Sequence, residues 1–514
     1  MATAAVATPD SNGMPWATVL LAGLVLALSN FMVVLDITIA NVSVPHIAGG
    51  LGISPSEGTW VITSYAVAEA ICVPLTGWLA KRFGEVKVFV GGMIGFGLFS
   101  FLCGTAPTLG ALIAFRIGQG LSGGPIMPIS QTLLLRIFPK DKHAMAMGIW
   151  SMTTITAPIF GPILGGTISD NWGWHWIFFI NVPIAVGCSF AAIALLRRAE
   201  SATEKMPVDI VGLGLLVTAV GALQIMLDLG RERDWFGNPF IVALAIVAAV
   251  GFAFLIVWEL FDRHPIVDLK VFRHSGFTFS VLALVFTYGV FFATLVIIPQ
   301  WLQSELGYTA TWAGYAMAWN GVAAVFLAPV AAMLSQKVDP RILVSGGILW
   351  LAGTSLIRVV WWTTGADFWT LALPQLIQGA GMPFFFVPLT TLALGAVEEN
   401  EVASAAGVMN FLRTMSGAVA TAIGVTMWEN GAQTARDTLT GVLHGTGSSM
   451  QALQAQGFTV EQSRAFVSRL VDSQAIAITT VNVFELFAAI FVGAAVIIWL
   501  APKPKHSVGL GAAH

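Results

Sequence analysis

The chain has 514 residues, of which 56% are hydrophobic and only 10% are aspartate, glutamate, lysine or arginine, and its formal net charge is −3. A soluble domain carries about 25% charged residues, so 24 basic and 27 acidic side chains are too few to cover a water-exposed surface of this size. The composition therefore excludes a soluble globular protein and predicts a chain embedded in a lipid bilayer.

Fourteen apolar runs follow one another along the chain. A hydrocarbon core of about 30 Å needs about 20 helical residues per crossing, and the runs have that length. They are apolar on nearly every face, whereas the strands of membrane barrels alternate polar and apolar residues. The sequence therefore predicts an all-α membrane protein with fourteen transmembrane helices, at 17–44, 57–79, 86–105, 108–135, 144–167, 176–196, 209–228, 238–261, 277–302, 311–335, 342–363, 368–395, 402–428 and 476–501.

Lysine and arginine are distributed unevenly between the two sets of loops. Sixteen of the 24 fall in the loops and tail that follow even-numbered spans, and five fall in the opposite loops. Because positively charged loops stay in the cytoplasm, this bias predicts that both termini are cytoplasmic. That topology requires an even number of spans, and fourteen satisfies it.

Three ionisable side chains fall inside the first, second and fourth spans. Arg116 at mid-membrane costs several kcal/mol unless it is paired or hydrated, so it must face the protein interior, and Asp36 is its natural partner. The pair is suited to proton coupling, and a static ion pair is the alternative. Glu69 is a candidate for proton or cationic-substrate contact, with a hydrogen-bonded structural acid as the alternative.

The loop after the second span contains a two-glycine turn. It reads Gly77-Trp-Leu-Ala-Lys81-Arg82-Phe-Gly84-Glu85, with charges of both signs that are suited to ion pairs between helix ends. This loop resembles the signature of the major facilitator superfamily, except that Lys81 stands where the family usually has an acid. The resemblance marks Gly77, Arg82 and Gly84 as residues of a conformational motif, with Glu85 as a substitute for the missing acid.

The fifth span carries small residues at every fourth position. It reads Ala157-Pro-Ile-Phe-Gly161-Pro162-Ile-Leu-Gly165, which leaves a bare stripe that another helix can approach closely, and Pro162 bends the helix. The segment resembles a motif of superfamily antiporters that symporters usually lack. The resemblance therefore marks Gly161, Pro162 and Gly165 as conformational residues and implies exchange rather than symport.

The chain also resembles itself. A Gln-Gly pair at Gln119 is followed by Pro128, and a second pair at Gln378 is followed by Pro388. The repeat predicts two parallel six-helix bundles around a cavity near the midplane, with an extra pair of spans at the periphery. The predicted domains are a tail (1–16), an N-terminal bundle (17–196), two linker spans with their loops (197–276), a C-terminal bundle with a periplasmic loop at 429–475 (277–502) and a second tail (503–514).

Polar and aromatic side chains in the spans are candidates for the cavity wall. Arg413 is suited either to attract anionic drugs or to cap a carbonyl cluster, and Phe385 to form a pliant apolar wall or simply to pack. The sequence has no phosphate-binding loop, zinc-binding helix or metal-spaced Cys/His set, so we expect no catalytic residue, cofactor, metal or nucleic-acid partner. The predicted cavity residues are Asn41, Gln119, Gln378, Asn410, Arg413 and Phe385.

The stretches around Asp36 and Arg116 both resemble motifs of the superfamily, and the stretch around Asp36 resembles that of its fourteen-span drug:proton antiporter branch. The resemblance covers about residues 17–502. It implies the major facilitator fold, two six-helix bundles plus two transmembrane helices. It also implies proton-driven export of hydrophobic, often weakly acidic toxicants across the bacterial inner membrane. The implied partners are a periplasmic adaptor of the EmrA type and an outer-membrane channel of the TolC type. A proton-coupled symporter and a non-transporting membrane sensor are the alternatives.

Overall fold

The computed structural model describes residues 14–204, 207–262, 265–335, 337–442 and 446–503. In this part of the chain, α-helices and short 3-10 turns are the only regular structure, which confirms the predicted fold class. The predicted tails fall largely outside it, at 1–13 and 504–514. The helices are α1 Trp16–Leu51, α2 Pro55–Gly58, α3 Trp60–Cys72, α4 Thr76–Phe83, α5 Glu85–Gly104, α6 Leu109–Gly123, α7 Ile126–Ile137, α8 His143–Trp172, α9 Trp176–Phe179, α10 Asn181–Leu196, α11 Ile210–Gly230, α12 Pro239–Phe261, α13 Ser275–Ser304, α14 Ala310–Ser335, α15 Pro340–Trp361, α16 Phe368–Gly395, α17 Val402–Val442, α18 Thr446–Ala455 and α19 Val460–Ile497.

Each predicted span falls on one helix or on consecutive helices. By length and composition, eleven helices in the described residues can cross a membrane, and two bent pairs raise the number to thirteen. The bends are 58° between α3 and α4 and 45° within α8. The predicted span 108–135 is divided into α6 and α7, each of which has fewer than 18 residues.

Proline explains where these helices bend or break. Proline lacks an N–H and its ring clashes with the preceding turn. Pro74 lies between α3 and α4, Pro125 lies between α6 and α7, and Pro158 lies at the bend of α8. Such breaks are tolerated within a membrane where neighbouring helices and side chains satisfy the freed backbone groups.

The helices pack as two bundles. In the N-terminal half, α1 packs against α7, α8 and α10, and α6 packs against α3 and α5. In the C-terminal half, α13 packs against α17, and α16 packs against α14 and α15. The halves meet where α8 contacts α14 and where α4 and α7 contact α17.

The two Gln-Gly pairs occupy equivalent contacts in the two halves. A Cβ added at Gly120 of α6 would lie 2.6 Å from the carbonyl oxygen of Tyr65 on α3. A Cβ added at Gly379 of α16 would collide with the carbonyl oxygen of Asn320 on α14. In each half, the glycine lets the fourth span touch the backbone of the second, which gives the sequence repeat a physical cause.

The glycine stripe of α8 faces α1. A Cβ on Gly161 would collide with the side chain of Thr38, and one on Gly165 would lie 3.0 Å from the carbonyl oxygen of Ile39. Pro162 lies between these glycines, within α8. The stripe therefore joins two helices of the same half.

The predicted periplasmic segment 429–475 is largely helical in its described residues. Helix α17 continues to Val442, well past the predicted end of its span, and α19 begins at Val460. The Nε atom of Arg436 on α17 lies 2.8 Å from a carboxylate oxygen of Asp472 on α19. The two helices therefore extend together beyond the apolar part of the chain.

We expect Gly379→Val to destabilise the protein. The added side chain meets the backbone of Asn320, which cannot rotate away, so α14 and α16 must separate at a cost of about 1–3 kcal/mol. The readout is the apparent Tm of the purified protein in detergent. Gly353→Val is the matched control, because a Cβ there meets nothing within 4 Å. Equal Tm values for the two variants would contradict the close contact.

Candidate functional site

A buried ion pair joins α1 to α6. The Nη1 atom of Arg116 donates a hydrogen bond to Oδ2 of Asp36 over 2.6 Å, and the two side chains are 0% and 1% exposed. Arg116 also donates from Nε to the carbonyl oxygen of Val61 over 3.1 Å. Its guanidinium lies 4.2 Å from the ring centroid of Tyr65. The two charges that the sequence analysis paired are thus in direct contact.

Polar side chains complete the cluster around Asp36. Its Oδ1 atom accepts hydrogen bonds from Asn181 Nδ2 over 2.7 Å and from Gln119 Nε2 over 3.0 Å. The hydroxyl of Ser100 accepts from the same two amides over 3.1 and 3.2 Å. Gln119 in turn accepts from Arg116 over 2.8 Å. Three donors, from Arg116, Gln119 and Asn181, therefore stabilise the negative charge of a carboxylate that is almost fully buried.

A cavity of about 490 Å³ lies between the two halves, within the usual size range of small-molecule sites. Four predicted site residues line it: Asn41, Glu69, Arg116 and Arg413. The buried ion pair therefore borders the cavity. Much of the rest of the wall is apolar or aromatic and includes Val34, Ile62, Tyr65, Pro158, Tyr288, Phe292, Val296 and Val425.

The other four predicted cavity residues do not line this cavity. Gln119 belongs to the Asp36 cluster, and Gln378 accepts a hydrogen bond from Arg358 in the C-terminal half. Asn410 donates to Gln131 Oε1 across the two halves over 2.6 Å. Phe385 is fully buried between α16 and α15. Their geometry indicates packing and hydrogen bonding rather than contact with a ligand in this cavity.

Glu69 lies in the cavity wall on α3. Its side chain is almost fully buried, and it has no ion pair or side-chain hydrogen bond within the described part of the chain. The alternative role predicted for Glu69 from the sequence is that of a hydrogen-bonded structural acid. Among the described residues, Glu69 has no side-chain hydrogen bond that would support this alternative. The carboxyl group faces the cavity, where a proton or a cation can reach it.

Arg413 sits among aromatic rings from both halves. Its guanidinium carbon lies 5.3 Å from the ring centroid of Trp150, 5.2 Å from that of Tyr288 and 5.9 Å from that of Phe386. The same group contacts the sulfur of Met127. Such contacts stabilise a cation by about 0.5–2 kcal/mol each. Arg413 therefore has aromatic and sulfur contacts at the cavity, and Glu69, which lines the same cavity, interacts with it electrostatically.

The loop motif after the second span packs one half against the other. A Cβ added at Gly77 would lie 2.5 Å from the hydroxyl oxygen of Ser404 on α17. Gly84 adopts φ +93° between α4 and α5, a conformation that favours glycine. Arg82 lies over the ring of Trp78, 5.2 Å from its centroid. Gly77 thus marks the place where the halves touch.

The charged residues that depart from the family pattern have partners of their own. The Nζ atom of Lys81 lies 3.9 Å from a carboxylate oxygen of Asp268, in the loop after α12. Arg136 at the end of α7 donates to Glu85 over 2.9 Å. Glu85 therefore forms the ion pair between helix ends, and Lys81 contacts the linker region through Asp268.

The cavity is closed at one end and open at the other. At the closed end, Gly77 meets Ser404, and a Cβ on Gly407 of α17 would lie 3.1 Å from the carbonyl oxygen of Val73. At the other end, Thr59 lines the cavity together with Arg231 and Glu232, exposed residues of the loop that follows α11. The opening therefore lies on the side opposite to the Gly77 loop.

The linker helix α11 is part of the cavity wall, so the prediction of a wholly peripheral extra pair is wrong. Gln224, Leu227 and Asp228 line the cavity, and α11 contacts both α3 and α17. In the loop that follows, Arg231 lies 3.6 Å from Glu429 of α17. The sequence missed this role because α11 is apolar on nearly every face, so its pattern does not show which side turns inward.

Comparisons with known proteins place the chain in a family. The model of the Major Facilitator Superfamily matches residues 26–421. The multidrug export protein EmrB of Escherichia coli (strain K12) is 45% identical over 490 residues, covering 95% of this chain and 96% of the relative. The fatty acid resistance protein FarB of Neisseria gonorrhoeae is 42% identical over 498 residues, again covering 95% of this chain and 96% of the relative.

Solved structures share the fold. The proton:xylose symporter XylE, bound to 6-bromo-6-deoxy-D-glucose, matches with a TM-score of 0.59 over 95% of this chain and 96% of its own, at 13% identity. The human organic anion transporter MFSD10 matches with a TM-score of 0.56 over 94% of this chain and 98% of its own, also at 13% identity. With the family match, these findings lead to one conclusion: the chain belongs to the Major Facilitator Superfamily and is a multi-pass membrane transporter, not an enzyme.

Proposed function

We propose that the chain is a proton-coupled multidrug efflux antiporter that exports hydrophobic toxicants across the bacterial inner membrane. The observation that carries the proposal is the buried Asp36–Arg116 pair at the edge of a cavity between the two halves. The names of the relatives, a multidrug export protein and a fatty acid resistance protein, support export of hydrophobic compounds. The apolar and aromatic cavity wall supports the same substrate class.

In this mechanism, Asp36 takes up the transported proton. Protonation removes the negative charge that holds Arg116, so the guanidinium is released and the two halves rock around the cavity. Drug and proton therefore exclude each other. Each proton that enters supplies about 2.3 kcal/mol per 100 mV of membrane potential, which drives the accumulation of drug outside. Glu69, which also faces the cavity, is a second proton or cation site.

The conformation follows from the proposed topology. If the basic loops are cytoplasmic, then both termini are cytoplasmic and the Gly77 loop lies on the inner side. The cavity then opens outward, toward the loop after α11. The contact of Gly77 with Ser404 is the inner gate in this arrangement. In the predicted domain arrangement, the two linker spans at 197–276 connect the N-terminal bundle to the C-terminal bundle.

The proposal includes partners outside the inner membrane. A periplasmic adaptor of the EmrA type and an outer-membrane channel of the TolC type would carry the exported drug onward. The extension of α17 to Val442, joined to α19 by Arg436 and Asp472, supplies a helical surface on the outer side for such an adaptor. The glycine stripe with Pro162 supports antiport over the symporter alternative.

We expect Asp36→Asn to abolish coupling. Asparagine keeps the shape of the side chain and can still contact Gln119 and Asn181, but it cannot carry a proton, so we expect drug-driven proton release to fall at least about tenfold. The measurement uses proteoliposomes with an internal pH dye. Asp170→Asn is the control, since Asp170 is an exposed carboxylate at the end of α8. Coupled export at the wild-type rate in Asp36→Asn would remove this residue from the mechanism.

We expect a cross-link at the inner gate to stop transport. Cysteines at Gly77 and Ser404 bring the two Cβ atoms to about the 3.5–4.5 Å that a disulfide needs after a small shift. Oxidation should then lock the cavity open to the outside, and reduction should restore export. The control pair, Ile62→Cys with Val425→Cys, lies on either side of the open cavity and should not cross-link. Continued export by the oxidised Gly77–Ser404 pair would contradict the gate.

A further inference from the structure

A pair of hydrogen-bond acceptors on the linker helix α11 has no cation beside it. We propose that Asp228 and Gln224 form a subsite for hydrophobic organic cations in the cavity wall. The inference rests on the proposed function and deepens it, because it names a substrate class and assigns recognition to a helix outside the two six-helix bundles.

The two side chains are held in place by their own contacts. The Nε2 atom of Gln224 donates a hydrogen bond to Oδ1 of Asp228 over 3.2 Å. Thr63 of α3 also forms a side-chain hydrogen bond with Asp228. These contacts fix the carboxylate against α3 and settle the orientation of the amide. The site is therefore organised before any ligand arrives.

The hydrogen-bonding atoms of Gln224 and Asp228 that remain without a partner are acceptors. Gln224 is only 5% exposed, and its Oε1 atom has no hydrogen-bond partner among the described residues. Both Gln224 and Asp228 line the cavity, and Asp228 has no ion pair within that part of the chain. A buried acceptor without a partner costs free energy. A cation, above all one with N–H groups, satisfies both oxygens at once.

The charge balance of the surrounding wall favours a cation. Two of the basic side chains at the cavity are already neutralised: Arg116 pairs with Asp36, and Arg231 pairs with Glu429. Arg413 is covered by aromatic rings from both halves. Glu69 interacts electrostatically with Arg413, whereas Asp228 and Glu232, which also line the cavity, have no ion pair within the described residues. The wall formed by α11 and the following loop is therefore negative.

Apolar groups surround the same position. Ile62 of α3 and Leu227 of α11 line the cavity on the side of Asp228, and Val425 lines it from α17. Trp235, in the loop after α11, adds an aromatic ring to this wall. A ligand with a positive charge inside an apolar shell matches both parts of the surface, whereas a small hydrated cation matches only the carboxylate.

Two probes of the same shape and opposite charge test the subsite. Equilibrium binding of tetraphenylphosphonium and tetraphenylborate is measured by titration calorimetry on the purified full chain in detergent, with Asp228→Asn as the variant. Loss of the carboxylate charge should weaken the binding of the phosphonium about tenfold and leave the borate unchanged or tighter. Asp437→Asn, an exposed acid near the outer end of α17, is the matched control and should change neither affinity.

The possible results separate the alternatives. Unchanged phosphonium binding in Asp228→Asn overturns the proposal, and so does equal weakening of both probes, which would mark Asp228 as structural. Gln224→Leu should weaken the binding of ethidium, whose amino groups donate hydrogen bonds, more than that of tetraphenylphosphonium, which has none. Equal effects on the two would remove Gln224 from the subsite. Because binding needs no proton gradient, these results are independent of the Asp36→Asn transport assay.

Discussion

The ion pair of Asp36 and Arg116 is the constraint around which the N-terminal half is organised. Lipid offers no water or counter-ion to either charge, so each must find its partner inside the protein. Helices α1, α6 and α10 converge to supply that partner and the amides around it, and the aromatic ring of Tyr65 covers the guanidinium from α3. A site built in this way is stable only while both charges are present. Any event that neutralises one of them changes the energy of the whole cluster.

The C-terminal half meets the same constraint differently. Gln378, which repeats Gln119, also accepts a hydrogen bond from a buried arginine, Arg358. No carboxylate pairs with that arginine within the described part of the chain, and its guanidinium lies 5.4 Å and 5.3 Å from the ring centroids of Trp362 and Phe484. Both halves keep the glycine contacts of the repeat, whereas only the N-terminal half has an acid, Asp36, paired with its buried arginine. The symmetry is therefore one of packing, and the titratable chemistry is concentrated in the N-terminal half.

Much of the fold was predictable, because lipid imposes simple rules on sequence. Apolar runs of about 20 residues predicted the helices, and the cost of a buried charge predicted that Asp36 pairs with Arg116. The residues that complete the cluster, Ser100 and Asn181, were missed because small polar side chains within apolar runs do not reveal their orientation. The role of α11 was missed for the same reason. Helices that are apolar on every face leave rotation about their axes undetermined, and packing alone decides it.

Helix α17 passes from the cavity to a point well beyond the apolar part of the chain without a break. Arg413, among the aromatic rings, and Val442, at the end of the helix, lie on one continuous rod. At 1.5 Å per residue, the two are separated by about 40 Å. A tilt of about 5° at the level of Arg413 therefore displaces the far tip by about 3–4 Å. One continuous helix thus amplifies a small change of tilt at the cavity into a displacement of several ångströms at its far end, where Arg436 contacts Asp472 of α19.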